Sequence, residues 1–440
     1  MGLVENIKKL FTKEPRIFKE DITIETDINS PQVDISYDTK HKEIIPEVKI
    51  ITKDDDIDVN ILNKDLRPDS VEIIDKKVDV HRKISFFKRR LPKLILFFLF
   101  FSIQILAFNI PDGIDFEKKR FRTGSGRQVA YILRVKDRKE LVPRVVLADF
   151  QIFKRLPLSR IAEKYEAIAA VNGAFFSWNG QPLGSIIINH KIVSLPVYKR
   201  SVFCIKDDGE CFITTPIIDP YFIYKDKKYR LDGINQKEYE RSVIIYTPEF
   251  GKRTNTYSIG LEIAVIKDRV VEVSTRNSFI PPDGYVIAIH EKEFEKEFDN
   301  IRFMDQIAFH VSVEEKMKDV RYAIGGGPLL VNEGEIDVRD VKEKFKPNLV
   351  IQKAPRTGVG ILKDGTLIFV AVDGRQKGYS EGLDLKEFAG FMHSLGCETA
   401  MNLDGGGSTT MILDGSLVNK PSDGEEREIN GAIIIEKKPD

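Results

Sequence analysis

The chain has 440 residues, 42% of them hydrophobic, which is enough for two or three domains and a sizeable core. Lys plus Arg and Asp plus Glu both number 68, so the formal net charge is zero and the global basic signal of a nucleic-acid binder is absent. The three cysteines, Cys204, Cys211 and Cys397, form no Cys-x-x-Cys pair, which argues against a zinc site.

Residues 1–90 are rich in Asp, Glu, Lys and Ile and hold no sustained amphipathic period, as in ITKDDDIDVN. This composition predicts a largely disordered segment with transient strands. A small domain completed by a partner is the alternative. The character changes at KRRLPKLILFFLFFSIQILAFNIPDG. The apolar run within 91–110 reaches about 20 residues, which suits the ~30 Å hydrocarbon layer and predicts one transmembrane helix. Leu, Ile and Phe occupy every face of it, unlike the one-sided stripe of a core helix. Lys88, Arg89, Arg90 and Lys93 crowd its N-terminal side, whereas Lys118, Lys119 and Arg120 lie farther off among acids. That bias predicts residues 1–90 in the cytoplasm and the remainder outside.

From 121 to 438 the chain reads as one globular unit. SIIINHKIVS, SVFCIKDDGECFIT, GLEIAVIKDRVVEVS, VGILKDGTLIFVAV and MILDGSLV each alternate around a turn signal and predict hairpins. Helical patterns are fewer: LSRIAEKYEAI, and a stronger one in DLKEFAGFMHSLG. There Leu385, Phe388, Ala389, Met392 and Leu395 share a face, Asp384 and Glu387 make a capping box, and Gly396 closes the helix. The class is α+β, a strand-dominated mixed sheet domain with a few packed helices. Cys204 and Cys211 flank the turn IKDDGE, which leaves a disulfide across that hairpin open in an oxidising compartment.

The stretch AMNLDGGGSTTM, residues 400–411, places Asp404 at the end of an apolar strand beside three glycines. Such a loop leaves backbone N–H groups unshielded for phosphate or carboxylate oxygens. It is not a nucleotide P-loop, since no Lys-Ser/Thr follows and a strand comes next. Similar sites recur: Asn172 and Gly173 end a strand in AAVNGAFF, Gly325 to Gly327 precede PLLVNEG, Arg356 opens a strand in APRTGVGI, and Asp373 and Arg375 follow one in FVAVDGRQ. Two arginines, two aspartates and glycine-rich turns point to an anionic substrate with acid–base chemistry nearby. Plainer readings stay open: a tight strand connection, a surface ion pair for Arg356, a turn for Asp373-Gly374.

VNGAFF with GQPLGSIIINHKIVS, then APRTGVGILKDGTLIFVAVDGRQKGYSEGLDLKEFAGFMHSLG, AMNLDGGGSTTMILDGSLVNKPSDG and REINGAIII resemble, in order and spacing, the phosphodiester glycosidase family. The resemblance covers roughly Gly124 to Ile435 and leaves the first 90 residues and the apolar run outside it. It implies hydrolysis of a sugar-1-phosphodiester at the sugar C1–O bond, releasing the sugar and a phosphomonoester. It also implies that Asp373 and Asp404 are the catalytic carboxylates of an oxocarbenium-like transition state. Asn172, Gly173, Arg356, Arg375, Asn402, Gly405, Gly406, Gly407, Ser408 and Asp423 would bind substrate and its phosphate. No cofactor is implied with certainty; a divalent cation such as Ca²⁺ held by some of the acids stays open. Ala174 departs from the motif, standing where many members have a second glycine. Residues 221–320 match loosely, as a variable region or insertion. The implied partner is a glycan or glycolipid phosphodiester, reached by a domain tethered to the membrane through one helix. Two other classes remain: a non-catalytic glycan-binding factor in exopolysaccharide assembly, and a metal-dependent phosphodiesterase cutting P–O.

Overall fold

The two longest alternating stretches, Ile114–Thr123 and Gly126–Val135, pair as an antiparallel hairpin at one edge of a seven-stranded sheet. The computed structural model describes residues 110–438, except 138, 197, 238, 240 and 291, together with short strands between Ile24 and Ile61. The chain divides into two units, 1–103 and 104–440. Of the first, Ile24–Glu25, Asp34–Tyr37, Pro46–Lys49 and Asn60–Ile61 pair as one small sheet, and Thr52–Lys53 pairs with Asp56–Ile57. The remainder of the segment read as disordered, and the apolar run up to residue 109, lie outside the described residues. Among the described residues no helix is long and apolar enough to cross a membrane.

The second unit is strand-dominated, with few helices. In its seven-stranded sheet the order runs Glu335–Ile336, Leu329–Asn332, Cys397–Asn402, Arg356–Leu362, Leu367–Val372, then the edge hairpin. All these pairings are antiparallel. Its central strands, such as Leu367–Val372 and Arg356–Leu362, are buried on both faces because both are covered. One face, with Ala130, Ile132, Ile368, Val370 and Ala400, packs on the helix Leu385–Ser394 through Phe388 and Met392. The capping box between Asp384 and Glu387 starts that helix, as the sequence predicts. The opposite face, with Tyr131, Phe369, Ala371, Val359 and Met401, packs on a second antiparallel sheet. That sheet orders Ser416–Leu417, Met411–Leu413, Ala169–Asn172, Gly431–Lys437 and Leu141–Leu147. Its outer face is closed by the short helix Leu158–Lys164. A third sheet, Lys191–Ser194, Ile186–Ile188, Val320–Gly325, Val202–Lys206 and Cys211–Thr214, adds Phe203 and Ile324 to the same core. Residues 218–313 build two further sheets with a core of their own around Phe222, Ile245, Val265 and Ile287.

Several predicted turns take the positive φ pair that a two-residue hairpin connection requires: Asn189-His190, Lys267-Asp268 and Asp414-Gly415. The open disulfide reading does not hold. Register pairs Cys204 with Phe212 and Ile205 with Cys211, so the two sulfurs project from opposite faces of the hairpin, and all three cysteines are free.

Candidate active site

Register brings the scattered motifs to one end of the sandwich. Arg356 pairs with Val372, and Gly358 with Asn402, so the start of one strand and the ends of its two neighbours lie together. Asp373 is therefore the first residue beyond Leu367–Val372 and Asp404 the second beyond Cys397–Asn402, the two strands that flank Arg356–Leu362. Ala432 pairs with Asn172 in the facing sheet, which ends its central strand at the same level.

Asn172 ties the two sheets together there. Its Nδ2 donates to the main-chain carbonyl of Asp404 at 2.7 Å. Its Oδ1 accepts from Thr357 Oγ1 at 2.7 Å and from the Thr410 N–H at 3.1 Å. The Asp404 N–H in turn donates to the carbonyl of Gly173 at 3.0 Å. The backbone of Asp404 is thus clamped from below, while its carboxyl group is directed into the glycine loop. Burial pushes that carboxyl up to about 6, against the pull of Ser408, the Gly405 N–H and Arg427.

The loop itself is narrow. The Gly405 N–H donates to Asp404 Oδ1 at 3.0 Å, and the Gly406 N–H to the Pro355 carbonyl at 2.9 Å. Two of the three glycine donors expected for an anion are therefore already engaged within the protein. Gly406 has φ +62, the left-handed region, and a Cβ there would stand 3.2 Å from the Arg375 guanidinium. A Cβ on Gly407 would stand 2.0 Å from both the Arg427 guanidinium and the Asp423 carboxylate. The absence of side chains lets two guanidinium groups close over the loop.

The two cations differ in support. Arg375 is exposed, has φ 60, and has no carboxylate partner among the described residues. Arg427 donates through Nε and Nη2 to Asp423 Oδ2 at 3.0 and 2.5 Å, and Ser422 Oγ donates to Asp423 Oδ1 at 3.2 Å. Asp423 thus holds an arginine, rather than standing free to receive substrate. Arg427 was missed in the sequence because it sits in the polar run GEERE, where nothing distinguishes it from a solvated surface charge.

Other expectations are corrected by the packing. Arg356 is buried, and its guanidinium donates to three main-chain carbonyls: Leu383 at 2.8 Å, Leu349 at 3.1 Å and Gln352 at 2.7 Å. Its desolvation lowers it to about 10, with Asp384 opposing the shift. This arginine staples chain segments, with Nε and Nη2 both committed to main-chain carbonyls. Asp373 is fully buried, and its carboxylate accepts from Tyr379 Oη at 3.0 Å, Asn419 Nδ2 at 3.1 Å and the Lys420 N–H at 3.0 Å. Burial raises it, and those donors oppose the rise. Asp373 and Asp404 sit in separate hydrogen-bond networks, the first with Tyr379, Asn419 and Lys420 and the second with the Gly405 N–H. Asn402 is also buried, donating to the carbonyls of Gly327 at 2.9 Å and Leu403 at 2.6 Å. Gly173 is a packing glycine: a Cβ there would meet Ile324 at 2.3 Å. Ser408 is buried under the loop beside Asp404. Among the described residues no group of three or more His, Cys, Asp or Glu side chains is placed to hold a metal ion.

A layered antiparallel sandwich thus gathers a raised carboxyl group, a glycine loop and two guanidinium groups at one end. The same layering occurs in a solved structure described as a hypothetical protein from Synechocystis, with a TM-score of 0.67 at 22% identity over 74% of this chain and 62% of that one. Residues 260–436 match the family model described as Phosphodiester glycosidase. Two curated relatives agree in part. The chain is 36% identical over 110 residues to the N-acetylglucosamine-1-phosphodiester alpha-N-acetylglucosaminidase of Mus musculus, covering 24% of this chain and 21% of that protein. It is 39% identical over 83 residues to the SPbeta prophage-derived uncharacterized protein YomE of Bacillus subtilis (strain 168), covering 19% of this chain and 13% of that protein. The chain therefore spans only 13% and 21% of the length of these two relatives in alignment. It carries a phosphodiester glycosidase family domain, homologous to the N-acetylglucosamine-1-phosphodiester alpha-N-acetylglucosaminidases. The matched region begins at 260, yet the hairpin 114–135 and the strand bearing Asn172 complete the same two sheets.

Proposed function

We propose that this domain hydrolyses a sugar-1-phosphodiester at the sugar C1–O bond, releasing a free sugar and a phosphomonoester. The observation that carries the reading is Asp404: a carboxyl group raised to about 6, set at a glycine loop that Arg375 and Arg427 roof. In the reaction the C1–O bond breaks and its electron pair leaves with the phosphate. A phosphate is already a weak base, so its departure needs little protonation. Two guanidinium groups suit the charge that grows on it. The deficit grows on the sugar ring and C1, where an ionised carboxylate serves as nucleophile or as base toward water. Asp404 is therefore the catalytic residue of this reading. Asn172 is a positioning residue beneath it, and Asp373 positions the strand end carrying Arg375.

Hydrolysis of N-acetylglucosamine-1-phosphodiesters in ¹⁸O water tests it. C–O cleavage puts the label in the sugar. Label in the phosphate would support the metal-dependent phosphodiesterase instead, and no turnover of any sugar-1-phosphodiester would favour a glycan-binding role. Placement of the domain outside the cytoplasm, on a cell-surface glycan or glycolipid, rests on the apolar run 91–110 and the basic cluster before it. External protease on intact cells should cut the domain after Ile110 and spare residues 1–90; the reverse pattern refutes that placement.

A further inference from the structure

The edge hairpin carries a second cationic feature outside the site just described. Ala130 pairs with Val372, and the Asp373 N–H donates to the carbonyl of Val129 at 3.0 Å, so the neighbouring strand ends there. The hairpin runs on past that level, through Arg127 to its turn, at the same end of the sandwich as Asp404. On this overhang Arg122 is directly opposite Arg127, and Arg120 is two residues back on the same face. All three side chains are exposed. Like charges directly opposite on paired strands are destabilising, and no ion pair to an acid joins these three among the described residues; the two acids at this turn are engaged elsewhere, Glu387 by Ser125 and Glu381 by the Gly378 N–H. The polar contact that Arg127 makes is from Nη1 to the Gly378 carbonyl at 3.2 Å. The hairpin's own acids are engaged at its far end, where Glu117 pairs with Arg134 and Asp115 with Lys136.

The three arginines border an open cavity of about 440 Å³, lined also by Gln128, Gly378 and Tyr379 and by no acidic side chain. Tyr379 connects this cavity to the site. Its hydroxyl donates to Asp373, and the Lys420 ammonium lies 5.3 Å from its ring centroid. The loop that carries Tyr379 is the loop that carries Arg375. Guanidinium forks, rather than ammonium groups, are the side chains suited to planar, bidentate binding of phosphate oxygens.

We propose that Arg120, Arg122 and Arg127 form a second anion-binding site, which takes a further phosphate of an extended, multiply phosphorylated chain whose reacting sugar lies at Asp404. The substrate class is then a phosphate-bearing polymer and not a small isolated diester; this part rests on the glycosidase reading above. The opposed arginines are a stored repulsion that a bound polyanion relieves.

The test uses the full-length protein and the double variant Arg120→Gln/Arg122→Gln, with linear inorganic polyphosphate as the probe in calorimetry. Wild type should bind it, and the variant at least about tenfold more weakly, the scale of two lost charge-assisted contacts. The variant should melt no lower than wild type, because a like-charge pair has been removed. A second variant, Arg127→Gln, should weaken binding in the same direction. Equal polyphosphate affinity in wild type and variants overturns the proposal. So does tighter binding of wild type to phosphatidylglycerol vesicles than to polyphosphate, which would assign the surface to a lipid membrane. Turnover of a small sugar-1-phosphodiester is measured in parallel and should be unchanged in the double variant. Absence of turnover in wild type would refute the glycosidase reading while leaving the calorimetric result to stand.

Discussion

The side-chain amide of Asn172 donates to the main-chain carbonyl of Asp404 at 2.7 Å. The last residue of one sheet's central strand thereby grips the second residue beyond a strand of the other. The acid at the site is held by its backbone, while its carboxyl group meets the glycine loop through the Gly405 N–H.

Asn172→Ala should therefore damage both stability and rate. It leaves the Asp404 carbonyl, the Thr357 hydroxyl and the Thr410 N–H without their partner in a buried place. A loss of about 2–3 kcal/mol is expected from such orphaned groups. Thermal melts and kcat should fall together, and an unchanged melt with an unchanged kcat would remove Asn172 from the positioning role.

Asp404 governs the pH dependence. If its ionised form works, kcat/KM rises with pH through about 6 and levels above. Asp404→Asn should abolish that limb and lower kcat by about a thousandfold. The stability effect has the opposite sign. The native carboxyl binds its proton more tightly than the ordinary group at 3.8, so its contribution to stability falls as pH rises between there and about 6. The Asn variant should accordingly be no less stable than wild type at pH 7. A fully active Asn variant, or one that unfolds, sinks the catalytic assignment.

The two arginines of the sequence motifs should separate cleanly. Arg375→Lys keeps the charge but loses the fork over Gly406, and activity should drop by about one to three orders of magnitude with little change in melting. Arg356→Lys cannot reach three carbonyls in the same geometry, and the melt should fall by the equivalent of about 1–3 kcal/mol. Melting and turnover measured on both variants decide the matter; the reverse pattern would return Arg356 to the phosphate.

Gly407→Ala tests the roof of the loop. The new methyl would stand 2.0 Å from Arg427 and Asp423, and the ion pair must swing away. KM for a phosphodiester should rise at least about tenfold, since a charge-assisted contact to the substrate is displaced. A wild-type KM in that variant would show that Arg427 takes no part in binding.

The sequence by itself determined the local conformations. Alternation and turn residues placed the hairpins, the capping box at Asp384 and Glu387 placed the helix Leu385–Ser394, and the three glycines marked a loop beside Asp404. These signals are legible because they act between residues close in the chain, where period and φ are dictated by neighbours. Only the tertiary structure decided which way the polar side chains turn. Arg356 and Asp373 carry motif positions like those of Arg375 and Asp404, yet Arg356 meets carbonyls at Leu349, Gln352 and Leu383, and Asp373 meets Tyr379 and Asn419. Cys204 and Cys211 are near in sequence but are divided by register. Arg427 gained its place through Asp423 and the bare surface of Gly407. Whether a charged group faces substrate or protein depends on donors and acceptors delivered from distant segments, as when Asn172 meets Asp404 across 232 residues. Desolvation and hydrogen-bond satisfaction are properties of that assembled neighbourhood, and no local pattern encodes them.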